Sequence, residues 1–128
     1  MNLKLRKLGT QDYRKTWASM QNVVLSKGKE DPDELWLLEH FPVYTLGFGA
    51  SDGHLLTKSN IPVIRSDRGG EVTYHGPGQI VAYFLINLRR KKWGPKRFVN
   101  ELEASVIDFL KKIQYFLFKA TRRSGDLR

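Results

Sequence analysis

Ser66-Asp67-Arg68-Gly69-Gly70-Glu71-Val72-Thr73-Tyr74-His75-Gly76-Pro77-Gly78-Gln79 gathers residue types with which a protein grips a small ligand. Four glycines and a proline in fourteen residues open backbone conformations closed to other side chains and let a ligand approach the main chain. Arg68 stands at one end and Thr73, Tyr74 and His75 at the other, so backbone and side-chain donors are available together. Such a segment suits a carbonyl, carboxylate or phosphate whose apolar part lies over neighbouring strand residues. On glycine content alone, two tight turns at Gly69-Gly70 and Gly76-Pro77-Gly78 account for it equally well, and a lone histidine such as His75 is more often structural than catalytic.

Other chemistries find less support. The chain has no cysteine, which removes disulfides, thiolate metal sites and any cysteine nucleophile of its own. His40, His54 and His75 lack the paired spacing of metal ligands, and no Gly-x-x-x-x-Gly-Lys phosphate loop occurs. An acyl-serine route through Ser66 or Thr73 beside His75 would need a positioned base and a third, orienting group, for which the sequence shows no pattern. Neither metal nor cofactor is expected.

The elements that must position this segment are legible from periodicity. Leu3, Leu5 and Leu8 among Lys4, Arg6 and Lys7 predict a short opening strand. Thr10 offers a cap for a helix over about 11–27 with the stripe Tyr13, Trp17, Met20 and Val24, and Gly28 offers its stop. Leu35-Trp36-Leu37-Leu38 is apolar on both faces, as in a covered strand, and Val43-Tyr44-Thr45-Leu46 reads as its hairpin partner. Residues 47–60 read as a loop. Strands follow at 61–65 and 71–74, and Ile80–Ile86, β-branched or aromatic in most positions, is expected to be a central strand. Gly94-Pro95 starts a helix over about 96–112 with the stripe Phe98, Leu102, Val106, Phe109, Leu110 and Ile113, and 115–118 offers one more strand. This order predicts an α+β domain, a mixed sheet with helices packed on it, with the 68–78 loop at the open edge of a groove.

At 128 residues the chain has the length of one domain, expected to span 1–128. No run approaches the ~20 apolar residues of a membrane span, so a cytoplasmic protein with no membrane partner is expected. Twenty-two Lys and Arg against thirteen Asp and Glu give a net charge of +9, which favours encounter with acidic partners. Arg89-Arg90-Lys91-Lys92 and Arg122-Arg123 raise nucleic acid as a partner, but no nucleic-acid motif organises them and none is expected.

The sixteen residues Arg68–Tyr83, Arg-Gly-Gly-Glu-Val-Thr-Tyr-His-Gly-Pro-Gly-Gln-Ile-Val-Ala-Tyr, resemble the signature of bacterial octanoyltransferases of lipoate biosynthesis. The resemblance extends through Glu39–Gly47 before the loop and Leu85–Arg90 after it, covering 1 to about 112, roughly the first half of such an enzyme. It implies the α+β fold shared with lipoate and biotin protein ligases and transfer of octanoyl from octanoyl-acyl carrier protein to a lysine. The implied recipients are the apo lipoyl domains of 2-oxoacid dehydrogenase complexes and of the glycine cleavage protein. The substrate-binding segment it implies is Arg68, Gly69, Gly70, Glu71, Val72, Thr73, Tyr74 and His75. Lipoate ligases carry Ser-Gly-Gly-Gly in the related place, so Arg-Gly-Gly-Glu favours the transferase.

The family works through a cysteine aided by a lysine, both in its C-terminal half, and this chain has no cysteine. No catalytic residue is therefore assigned, and Lys111, Lys112 and Lys119 take no role. After Lys112 the family pattern is expected to lapse, Arg122-Arg123-Ser124-Gly125 being a remnant. A truncated or frame-shifted product or one part of a split enzyme is the expectation, inactive alone. A non-catalytic module binding an acyl group or acyl carrier protein, or a lipoate-protein ligase-like protein, is the alternative.

Overall fold

The computed structural model describes residues 2–51 and 59–113; the strand expected at 115–118, His54 and Arg122-Arg123 lie outside the described residues. The chain divides into two compact units, Met1–Ile86 and Asn87–Arg128.

The first unit holds strands β1 (Leu3–Gln11), β2 (Asp33–His40), β3 (Val43–Leu46), β4 (Val63–Arg65), β5 (Val72–His75) and β6 (Val81–Leu85), with helix α1 (Tyr13–Ser26). They form two three-stranded sheets, ordered β1-β2-β6 and β4-β3-β5. Each is mixed: β2 runs parallel to β1 and antiparallel to β6, and β3 runs parallel to β4 and antiparallel to β5. The α+β class with mixed strands holds, and the strands are shared between two sheets.

β2 occupies the middle of its sheet, which explains its apolar character on both faces. Trp36, Leu38 and His40, two apart and so on one face, are buried; Leu35 and Leu37 on the other are half-buried. In the second sheet Val43, Leu46 and Ile64 are buried. Glu34 is buried too, held by Arg6 Nε at 2.5 Å, Trp36 Nε1 at 3.3 Å and Lys27 Nζ at 3.4 Å. Burial by itself would raise the Glu34 pKa, but the hydrogen bonds from Arg6 and Trp36 and the charges of Arg6 and Lys27 outweigh it and hold the carboxyl below its ordinary value.

Three sequence expectations are corrected. Val43–Leu46 does not pair with β2; it is the centre of the other sheet. Only Phe41-Pro42 separates β2 from β3, and neither residue has the tolerance for positive φ that two-residue hairpin turns require, so the chain changes sheets instead. The strand at 80–86 is not central: among the described residues β6 pairs only with β2, and none of its residues is buried. Its composition marks a strand, but neighbours are fixed by long-range pairing that composition does not encode. Thirdly, the α1 cap is Asp12, whose Oδ1 accepts from Lys15 N at 3.0 Å, whereas Thr10 belongs to β1. On α1 the apolar stripe is half-buried at Tyr13, Trp17 and Met20 and exposed at Val24.

The second unit begins with a one-turn helix, α2 (Leu88–Lys91), capped by Asn87, followed by α3 (Pro95–Lys112) with Gly94 as N-cap and Pro95 in the first turn, as expected. Between them the Trp93 ring is flanked by Lys91 at 5.4 Å and Arg97 at 4.7 Å, so part of the basic run is engaged on an aromatic face. No residue of α3 is buried among the described residues.

Candidate active-site loop

The segment from Ser66 starts where β4 ends. Ser66 is buried, and its N–H donates to Leu46 O at 2.9 Å, laying the chain back over the end of β3. Arg68 then fixes the turn. Its Nε and Nη2 donate to Thr45 Oγ1 at 3.2 and 2.9 Å, Nη2 also to the carbonyls of Thr45 at 2.8 Å and Glu71 at 2.7 Å, and Nη1 to Gly69 O at 2.7 Å. Thr45 is fully buried, so the guanidinium satisfies an acceptor that water cannot reach. The loop also accepts from β3's continuation, Phe48 N to Arg68 O at 2.7 Å and Gly47 N to Glu71 O at 3.3 Å. The approach is so close that a Cβ on Gly47 would stand 1.7 Å from Gly70 O, and Gly70 itself has φ +90°. Two glycines are required here by contact and by conformation.

From Val72 the chain becomes β5, antiparallel to β3 with Leu46 opposite Val72, Thr45 opposite Thr73, Tyr44 opposite Tyr74 and Val43 opposite His75. Alternation along the strand sends neighbouring side chains to opposite faces. Tyr74, half in solvent, pairs with Tyr44 at a centroid distance of 5.4 Å. His75 joins a ring cluster: it stacks on Tyr13 at 6.3 Å and meets His40 edge-on at 6.0 Å, while His40 contacts Tyr13 at 5.2 Å and Tyr83 at 5.8 Å. Beyond β5, Gly78 N donates to Glu39 Oε1 at 2.9 Å, and Gln79 reaches back to His75 and to the Tyr74 carbonyl. Thus the turns at both ends of β5 are anchored, one to β3 and one to β2.

His40 is wholly buried. Its Nδ1 lies 3.0 Å from Gln11 O, which only accepts, so Nδ1 carries the proton and Nε2 accepts from the Tyr83 hydroxyl at 2.8 Å. Burial lowers the His40 pKa, and the nearby His75 adds to that, against the opposing Gln11 carbonyl and Asp12. The Tyr83 hydroxyl is pushed up, first by burial and then by Tyr13. Both groups are neutral at pH 7.

Of the eight residues singled out from sequence, Arg68, Gly69, Gly70 and Glu71 form the turn over β3, and Val72, Thr73, Tyr74 and His75 form β5; Tyr74 and His75 lie in different ring pairs. Glu39, His40, Thr45, Gln79, Tyr83 and Tyr13 complete the arrangement and were not singled out. All but Tyr13 lie inside stretches that carry the family resemblance, which is the signal that could have found them. Among the described residues no three His, Asp or Glu side chains converge as a metal site requires. An open groove of about 580 Å³ runs along α1, lined by Trp17, Met20, Gln21, Asn22, Val24 and Leu25, with Asp67 at its border.

The lipoyl protein ligase A/B catalytic domain family matches residues 12–126. The chain belongs to this family. The family match extends past Lys112 to residue 126, while the octanoyltransferase relatives align over spans from 108 to 126 residues. Among relatives in the lipoyl protein ligase A/B family, an octanoyltransferase from Vibrio vulnificus is 52% identical over 109 residues, covering 85% of this chain and 50% of the relative. An octanoyltransferase from Methylococcus capsulatus is 47% identical over 126 residues, 98% of this chain and 59% of the relative. The chain spans about half the length of the curated relatives it matches. Among solved structures, lipoate-protein ligase A bound with ATP superposes with TM-score 0.51 at 22% identity, over 62% of this chain and 35% of that one. A bi-partite lipoate protein ligase from Thermoplasma acidophilum gives 0.50 at 21%, over 62% and 34%. These likenesses establish the family fold.

Proposed function

We propose that this chain is part of an octanoyltransferase, in which Arg68–His75 lines the site for an octanoyl group on its way from octanoyl-acyl carrier protein to a lysine of an apo lipoyl domain. One observation carries the proposal. The Arg-Gly-Gly-Glu turn is held rigidly over β3, with Arg68 shaping it from within and the main chain of Gly69-Gly70 exposed beside β5. Exposed glycine backbone next to a strand is what a carbonyl with an apolar tail requires. The +9 net charge suits the acidic partners this reading assigns, and nucleic acid and membrane take no part. No helix among the described residues is long and apolar enough to cross a membrane, in keeping with action in the cytoplasm. Residues 1–128 then form one partial acyltransferase-like domain.

The chain has no cysteine to carry an acyl thioester. Alone, with octanoyl-acyl carrier protein and an apo lipoyl domain, it is expected to give no octanoyl-lysine by mass spectrometry. Joined to the second half of the Vibrio vulnificus octanoyltransferase, it is expected to give octanoyl-lysine, and transfer lost again on Gly70→Val. A folded chimera without transfer would defeat the proposal. The missing thiol also favours a second reading, a module that binds octanoyl-acyl carrier protein without turnover, for which binding by the chain alone is the discriminating measurement.

A further inference from the structure

The hydrogen bonds around His75 select the tautomer of its neutral ring without reference to any ligand. Gln79 Nε2 donates to the Tyr74 carbonyl at 3.2 Å, a group that only accepts, so the other end of the Gln79 amide, Oε1, faces His75 Nδ1 at 2.5 Å. An amide oxygen cannot donate, so Nδ1 carries the proton and the neutral ring keeps a lone pair on Nε2. The plane of the ring is held on two sides, by the stacked Tyr13 ring and the edge of His40. His40 is locked in turn by Gln11 and Tyr83. Among the described residues no group hydrogen-bonds His75 Nε2.

We propose that Gln79 is a positioning residue that holds His75 in the Nδ1–H tautomer, so that Nε2 accepts a hydrogen bond from an N–H of the ligand, the nitrogen of the lysine that receives the acyl group. The ligand half rests on the octanoyl-transfer reading; the tautomer half does not. The exposed backbone N–H groups of the Gly69-Gly70 turn are donors and suit the acyl carbonyl, the Arg68 guanidinium being taken up by Thr45, Gly69 and Glu71. Nε2 is the complementary acceptor, and an ester or thioester has no hydrogen to offer it.

The test uses the full chain labelled with 15N, observed at pH 8.5 through long-range 15N–1H correlations of its imidazoles, with His75 assigned by the signals lost in His75→Gln. In the wild type, Nδ1 is expected to read as protonated and Nε2 as unprotonated. Gln79→Leu is expected to shift His75 toward the Nε2–H form that unconstrained imidazoles favour, while His40 keeps its own Nδ1–H pattern, set by Gln11 and Tyr83, and so reports an intact fold. Gln79→Glu, which keeps an accepting oxygen, is expected to retain the wild-type pattern. A wild-type His75 protonated at Nε2, or a pattern indifferent to Gln79→Leu, overturns the tautomer lock. For the ligand half, N-ethyloctanamide is expected to move the Nε2 resonance and ethyl octanoate to leave it; equal response, or none to the amide, overturns that assignment. Failure of octanoyl transfer in the chimera would leave the tautomer result standing, so the two can fail separately.

Discussion

Arg68 is an example of a charged residue in a ligand-binding motif whose donors are taken up by the protein itself. Four carbonyl or hydroxyl oxygens, on Thr45, Gly69 and Glu71, are served by one planar fork, and a lysine ammonium has neither the reach nor the geometry to replace it. Leaving the buried Thr45 hydroxyl without its donor costs about 1 to 3 kcal/mol. Arg68→Lys is therefore expected to lower the unfolding free energy by that amount in urea titration; a change under about 0.5 kcal/mol would show the fork to be dispensable. A second residue-scale prediction concerns acid. The pKa of His40 is lowered on folding from 6.5, so the unfolded chain takes up a proton that the folded chain resists. Its stabilising effect is complete above pH 6.5 and is lost as pH falls through the lowered folded value. Glu34, lowered from 4.5, acts with the same sign in a lower window: its contribution is present above pH 4.5 and lost below as the carboxyl protonates. The urea midpoint should fall from pH 7.5 to 5.5 in the wild type and fall less in His40→Gln, while Glu34→Gln should flatten the further decline below pH 4.5. Equal slopes in wild type and variants would contradict the assignment.

At the scale of elements, the site depends on a loop lying against a strand with no room between them. Gly47→Ala places a methyl group 1.7 Å from the Gly70 carbonyl, within a turn tied down by Arg68. Either β3's end or the Gly69-Gly70 turn must move, at a cost in the ~1–3 kcal/mol range of overpacked sites. Hydrogen exchange should accelerate at Gly47 and Phe48, whose amides donate into the turn, and stay slow in β2; unchanged protection would show that the turn accommodates a side chain. The open edges of β1 and β6 belong to the same scale. Among the described residues each pairs on one side only, with Leu3, Leu5 and Ile80 exposed along or beside them.

At the scale of the whole molecule, large apolar side chains are exposed in both units among the described residues. Leu25, Phe48 and Ile80 are 84%, 82% and 78% exposed in the first unit, and in the second α3 exposes Val99, Val106, Ile107 and Phe109, with Ile113 exposed at its C-cap. Burial of each such side chain is worth about 1.5 to 3 kcal/mol, and the total forgone is comparable with the ~5–15 kcal/mol stability of a domain. The chain by itself is expected to bind a hydrophobic dye and to self-associate in sedimentation, with a broad melt. A monomer that binds no dye and melts sharply at high temperature would show that these faces cost the fold little.

Composition and local pattern determined the elements themselves. α1 and α3 lie within two residues of the spans expected from periods near 3.6, and β2's two-sided apolarity marked a covered strand, because helical and strand periodicities are properties of neighbouring residues. The ordered Arg68–Tyr83 signature placed the chain in its family, which the match over 12–126 bears out. What the sequence left open was every relation between distant residues: that β3 leaves β2 for a second sheet, that β6 lies at an edge, and that the Arg68 guanidinium reaches Thr45 across 23 positions. His40 illustrates the limit. Its burial, tautomer and lowered pKa come from Gln11, Tyr83 and His75, which are 29, 43 and 35 positions away. No local pattern joins these four residues: the parallel pairing of β1 with β2 and the antiparallel return of β6 bring Gln11 and Tyr83 within hydrogen-bonding reach of His40, and β5 of the other sheet brings the His75 ring edge-on to it at 6.0 Å.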